Sequence, residues 1–169
     1  MDPSKKILIL YASAGHGHEK AARAILEACR ELQGVNAQAV DTISLVSPFF
    51  GNLYRQSYLL QIHYVPWLWG IFYYACDVSW VYGVIRWVRR AMNAALAGRL
   101  ERFILEERPD AVIATHFLSV EVTSHLKEQG RINTKLLSVI TDYLPHHVWL
   151  AKGVDLYAVA LPETKEKLM

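Results

Sequence analysis

The chain has 169 residues, 53% of them apolar, and a formal net charge of +2, which describes one domain of ordinary size with enough apolar surface to bury a core. That balance excludes a disordered chain and a bulk nucleic-acid binder, so no nucleic-acid partner is expected. The two cysteines, Cys29 and Cys76, stand far apart, which favours buried free thiols in a reducing cytoplasm, and the apolar run after Lys5 and Lys6 is too short for a secretory signal.

Ile7, Leu8, Ile9 and Leu10 form a continuous apolar run, which predicts a strand buried on both faces, as in a parallel sheet. A small-residue loop from Ala12 to Gly17 follows and contains Gly15 and Gly17. Ala21, Ala22, Ile25, Leu26 and Cys29 then recur at three and four, predicting a helix from His18 to Leu32. A strand, a glycine loop and a helix in that order present backbone N–H groups and a helix N-terminus at one end of a sheet, where anions are well received. Neither familiar phosphate signature is met. A Walker loop needs Gly-Lys-Ser/Thr, but Lys20 is followed by Ala21 and has no glycine before it; the third glycine of the dinucleotide fingerprint is replaced by Lys20. What remains is an imidazole, His18, at the mouth of the helix. It reads either as a general base, the positive helix end disfavouring its imidazolium, or as a capping or solvated histidine.

The alternation of Val35, Ala37 and Ala39 predicts a second strand within Val35 to Thr42, and Ser47-Pro48 ends the connection. From Pro48 to Leu100 the composition changes. This segment holds 13 of the 19 aromatic residues, Trp67, Trp69 and Trp87 among them, and five arginines, Arg55, Arg86, Arg89, Arg90 and Arg99, against the single acid Asp77. Aromatic rings with cations and almost no carboxylates match the interface of a bilayer with anionic headgroups. A transmembrane span competes, but Gln56, Ser57, Gln61, His63 and Pro66 interrupt the uncharged run. An aromatic core or a protein interface also competes; lying on the membrane is the expectation. Val81, Ile85, Val88, Met92, Leu96, Leu100 and Phe103 step by three and four, predicting a helix from about Ser79 to Glu107 with Arg86 and Arg90 on its other face, either solvated or phosphate-binding.

PDAVIATH predicts a strand from Ala111 to Thr115 with His116 at its carboxyl end, and Leu118 to Gln129 a helix stopped by Gly130. Lys135 to Thr141 is a further strand ending in Asp142; after His146, His147 and Trp149, Asp155 to Ala160 is another, and Pro162 opens a last helix. Alternating strands and helices argue an α/β fold, a doubly wound parallel sheet, whose ligands bind outside the carboxyl ends of the strands. That rule gathers His16, His18, His116, Asp142, His146 and His147 at one edge. No pair has HExxH spacing and no cysteine pair is close, so no metal is expected. An esterase is excluded because no GxSxG elbow exists. A sugar or lipid hydroxyl activated by an imidazole fits better.

SAGHGHEKAARAI resembles the glycine-rich loop of monogalactosyldiacylglycerol synthases and the related bacterial processive diacylglycerol glucosyltransferases. TDYLPHHVWLAKGVDLYAVALPETKEKL is similar to the same family's Thr-Asp, spaced His, Trp and Val-Asp-x-Tyr pattern, and ERPDAVIATH between them also fits. The resemblance runs through essentially the whole chain. It implies a Rossmann-like N-terminal half of a GT-B glycosyltransferase, residues 1–169, with 48–100 as a membrane-associating helical segment and the C-terminal UDP-sugar-binding domain absent. It implies an inverting enzyme that moves a hexose from a UDP-sugar to diacylglycerol, with no tightly bound cofactor. Its implied place is the cytoplasmic face of the cell membrane, peripherally, on anionic lipids through Trp67, Trp69, Arg86, Trp87, Arg89 and Arg90. On this sequence His18 matches the base that deprotonates the lipid hydroxyl, Gly15 and Gly17 the residues that let backbone approach the phosphates, and Asp142 and His146 the acceptor side of the cleft. Thr141 and Trp149 are expected to support that loop. A donor domain or donor subunit is the implied partner. The alternative is a non-catalytic, membrane-associated recruitment subunit of a split glycosyltransferase.

Overall fold

Leu8, Ile9 and Leu10 are fully buried, and their alternation sets the architecture. Leu8 and Leu10 face one way and Ile9 the other, so the strand they belong to needs cover on both sides. The computed structural model describes residues 4–13, 16–46, 98–142 and 149–168. Gly15, His146 and the segment carrying Trp67, Trp69, Arg86, Trp87, Arg89 and Arg90 lie outside the described residues. In chain order the elements are β1 (Lys5–Tyr11), α1 (His16–Arg30), β2 (Val35–Asp41), α2 (Thr42–Val46), a helical stretch α3 over 98–107, β3 (Ala111–Ala114), α4 (Phe117–Glu128), β4 (Lys135–Ile140), β5 (Leu156–Val159) and α5 (Pro162–Leu168).

The strands form one five-stranded sheet in the order β2-β1-β3-β4-β5, and every pairing is parallel. On one face Leu8 and Leu10 join Val112, Ala114, Leu136 and Ile140, covered by Leu100 and Ile104 of α3 and by Leu118, Val122 and Leu126 of α4. On the other, Ile9 packs with Ala22 and Cys29 of α1, flanked by Ile7, Tyr11 and Ile113. Helices on both faces of a parallel sheet are the Rossmann-like α/β arrangement expected from the alternation of elements. Cys29 is a buried free thiol, as its place on the inward face of α1 implied. Among the described residues no helix is long and apolar enough to cross a membrane.

Several boundaries differ from expectation by one or two residues, and one helix is additional. α1 starts at His16 rather than His18, so Gly17 stands in its first turn. The N–H groups of a first helical turn have no intrahelical acceptor, and glycine's helix penalty weighs least there. α2 was not anticipated: it follows β2 directly because Asp41 caps it, Oδ1 accepting the Ile43 N–H at 3.2 Å and Oδ2 the Ser44 hydroxyl at 2.5 Å. β5 is shorter than Asp155 to Ala160 because Asp155 is engaged otherwise.

At the amino ends of the strands two aspartates act as clamps. Asp110, just before β3, accepts from Lys5 Nζ and from the Lys6 backbone N–H, both at 2.8 Å. Asp155, just before β5, accepts from Lys127 Nζ at 2.5 Å, Lys135 Nζ at 2.9 Å and the Leu136 N–H at 2.8 Å. Both carboxyls are held below the usual aspartate range, Asp110 first by its bond from Lys5 and Asp155 first by its bond from Lys127.

Candidate functional site

The sheet changes direction between β1 and β3, with β2 beyond one and β4 and β5 beyond the other. In open α/β sheets the crevice at such a reversal, outside the carboxyl ends of the strands, is where ligands bind. Two loops meet there, the one from β1 into α1 and the one from β3 into α4.

His18 stands in the first turn of α1 and reaches across this gap. Its Nδ1 lies 2.6 Å from the Thr115 backbone carbonyl oxygen, at the end of β3. A carbonyl only accepts, so Nδ1 carries the proton and Nε2 of the neutral ring is left with its lone pair. The Thr141 hydroxyl, at the end of β4, lies 2.9 Å from the same Nδ1 and serves as a second acceptor of that N–H. In return the Thr115 hydroxyl donates to the His18 carbonyl at 3.0 Å. Three parts of the fold, the start of α1 and the ends of β3 and β4, thus hold one tautomer and one ring orientation.

Around this imidazole stand aromatic rings. His116 meets it edge to face with centroids 5.0 Å apart, and Trp149 lies at 6.2 Å. Trp149 is fully buried and donates its indole N–H to Asp142 Oδ2 at 2.8 Å. Phe117 stacks at 4.2 Å on His116 and stands at 6.3 Å from Trp149. His116 is the N-cap of α4, its Nδ1 accepting the Leu118 N–H. Burial pushes its pKa from 6.5 down to about 3; a positive charge on His18 works in the same direction and Asp41 against it. Asp41 also receives the Ser13 N–H at 3.1 Å, holding the residue where the glycine loop begins. The Tyr11 phenol is pushed up by burial first, then by Asp41 and Glu19, and stays a neutral hydroxyl.

The structure brings together His18, His116, Thr141, Asp142 and Trp149 of the residues singled out in the sequence. Asp142 is exposed, and its described bond is to the Trp149 ring rather than to His18. Among the described residues, and apart from its chain neighbours and its own helix backbone, no atom lies within 4 Å of where a Cβ on Gly17 would stand. Sequence reasoning missed Thr115 and Asp41. Thr115 was legible as the last residue of a predicted strand, but its part is played by a backbone carbonyl, which has no signature in residue type. Among the described residues no three His, Cys, Asp or Glu side chains gather to hold a metal ion.

The family described as monogalactosyldiacylglycerol (MGDG) synthase matches residues 18–169. Processive diacylglycerol beta-glucosyltransferases are similar over the whole chain: that of Bacillus licheniformis is 27% identical over 172 residues, that of Bacillus subtilis 28% over 172 and that of Bacillus pumilus 30% over 173. The chain spans 43% of the length of each of these relatives. No solved structure matches it.

Proposed function

The chain belongs to the monogalactosyldiacylglycerol synthase family, and on that premise we propose that it is the N-terminal, acceptor-binding domain of a GT-B glycosyltransferase that transfers a hexose from a UDP-sugar to diacylglycerol. His18 is its general base. The observation that carries this reading is the bond from His18 Nδ1 to the Thr115 carbonyl at 2.6 Å, at the reversal point of the sheet. It leaves Nε2 as the one ring nitrogen able to take a proton, and the same bond supports the imidazolium once the proton has arrived.

The reaction is a single displacement. The diacylglycerol hydroxyl gives its proton to His18 Nε2 as its oxygen forms a bond to the anomeric carbon, and the bond from that carbon to the phosphate oxygen breaks with its electron pair leaving on UDP. Attack opposite the leaving group inverts the anomeric carbon, which agrees with the beta linkage in the names of the relatives. The first turn of α1, whose N–H groups have no intrahelical acceptor and whose Gly17 has no other described residue within 4 Å of a Cβ position, suits approach of the donor's phosphates. Asp142, through Trp149, holds one wall of the acceptor side. Gly15 and His146 take the phosphate and acceptor roles that the family resemblance assigns them.

The aromatic and basic segment 48–100 brings this site to a substrate that stays in the bilayer, on the cytoplasmic face. Replacing Arg86, Arg89 and Arg90 by Glu weakens binding to anionic vesicles; undiminished binding overturns that role. For the base, His18→Ala in the complete enzyme lowers turnover by roughly 10²- to 10⁴-fold while binding of diacylglycerol-containing vesicles persists. Turnover that survives the substitution removes His18 from the mechanism.

A further inference from the structure

At the amino ends of β3 and β4, across the sheet from the crevice, lies a cleft of about 510 Å³ lined by Leu105, Arg108, Pro109, Arg131, Ile132 and Asn133. Two bonds between the strand starts fix its floor. The Thr134 hydroxyl donates to the Pro109 carbonyl at 2.8 Å, and the Lys135 N–H to the Asp110 carbonyl at 3.0 Å. Pro109 is buried, Leu105 and Ile132 are half-buried, and Arg108, Arg131 and Asn133 are exposed at the rim. An apolar floor with a few polar groups at its edge is the usual makeup of a small-molecule site, and the volume is of the usual size.

Arg108 singles this cleft out. Among the described residues the backbone turns left-handed at Gly34, Gly130 and Gly153, and at Arg108, whose φ is 44. Arg108 follows the last turn of α3, its N–H donating to the Ile104 carbonyl at 3.1 Å. Helices that end this way use glycine, because a Cβ is strained there. Strained residues of this kind cluster at ligand sites. The surrounding charges say which ligand is suited. Glu101 is paired with Arg131, Glu107 with Lys6 and Asp110 with Lys5, and among the described residues no acid is bonded to Arg108.

The geometry points to this cleft as a binding site for a small apolar monocarboxylate, its carboxylate forked onto the Arg108 guanidinium and its apolar body against Leu105, Pro109 and Ile132. One unanswered cation matches one negative charge, and a guanidinium meets a carboxylate through two parallel hydrogen bonds. A phosphate monoester brings close to two charges, more than the cleft answers. The site is separate from the transfer chemistry proposed above and stands whether or not that reading holds.

The test is calorimetric titration of the whole chain with phenylacetate, compared with acetate, 2-phenylethanol and phenyl phosphate. Phenylacetate binds, and acetate, which lacks the apolar body, and phenylethanol, which lacks the charge, each bind at least roughly tenfold more weakly. Arg108→Gly removes the guanidinium and relieves the left-handed strain, so it melts at least as high as the wild type yet binds phenylacetate roughly tenfold more weakly or worse. Arg108→Lys keeps the charge but not the fork, and falls between the two. The proposal is overturned if phenylacetate does not bind, if Arg108→Gly binds it as the wild type does, or if acetate binds as tightly. It is overturned equally if phenyl phosphate is preferred. An Arg108→Gly chain that melts lower with its affinity unchanged would leave Arg108 the single task of answering the carbonyl end of α3.

Discussion

The two ends of the sheet use polar groups in opposite ways. At the amino ends Asp110 and Asp155 each take several donors, lysine ammonium groups and backbone N–H groups together. At the carboxyl ends around His18 the partners are imidazoles, hydroxyls and a carbonyl, and the bonds described for His18 all use Nδ1, leaving its Nε2 without one among the described residues. The lesson is a division of labour. Around Asp110 and Asp155 ion pairs hold strand starts in register, and around His18 hydrogen-bonding capacity is left for something outside the chain.

This contrast can be broken most sharply at His18. The substitution to Ala that lowers turnover by two to four orders of magnitude should cost at most about 1 kcal/mol of stability, the worth of its bonds to Thr115 and Thr141; urea unfolding checks it, and a much larger loss would make His18 a structural residue.

The next effect separates the two ends along the pH axis. His116 is neutral in the fold down to about pH 3, against 6.5 when exposed, so the unfolded chain binds the extra proton in that window. Stability rises with pH there, and on acidification from 6.5 it is lost at up to about 1.4 kcal/mol per pH unit. The depressed carboxyls of Asp110 and Asp155 act in a different window: their contribution is complete above the ordinary aspartate value of 3.8 and is lost below it. Urea unfolding from pH 7 to 4 should therefore show a slope that His116→Asn abolishes and Asp155→Asn leaves intact.

A smaller effect is expected from Asp155→Asn at neutral pH, which leaves Lys127 and Lys135 without their anion and lowers stability by roughly 1–2 kcal/mol, with no change in turnover of the complete enzyme. Smallest is Ser138→Ala. The Ser138 hydroxyl is buried without a hydrogen-bond partner among the described residues, so its removal should stabilise the fold by up to about 1 kcal/mol, read as a rise in melting temperature.

Much of the scaffold was legible because each strand carries its own pattern. The run Ile7 to Leu10 and the alternation from Val35 to Ala39 each declare a period of burial, and Gly130, at φ 67, ends α4 where the sequence placed the stop. The site was legible only in part. The rule that ligands gather at carboxyl ends of strands collected His18, His116 and Asp142 on one rim, but it could not tell which of them touch. Asp142 meets Trp149, seven residues on, whereas His18 is oriented by a backbone carbonyl of another strand. Backbone acceptors are the same at every residue, so a tautomer fixed by one leaves no mark on the sequence. The helix start at His16 was misplaced for a related reason, since glycine in a first turn and glycine in a loop read alike.

The bond between His18 and Thr115 joins residues 97 apart in the chain, and this separation bears on how the protein comes into being. During synthesis β1, α1 and β2 leave the ribosome long before β3, and the closure that sets β3 beside β1 spans nearly two thirds of the molecule. Contacts of such long range form slowly and late. Until they form, the His18 imidazole has no Thr115 carbonyl to settle its tautomer, so a half-folded chain carries the histidine proposed as base without the arrangement that would make it one. On the proposed reading, catalytic competence would be acquired in one step with the closing of the sheet, and half-folded copies would be silent rather than indiscriminate.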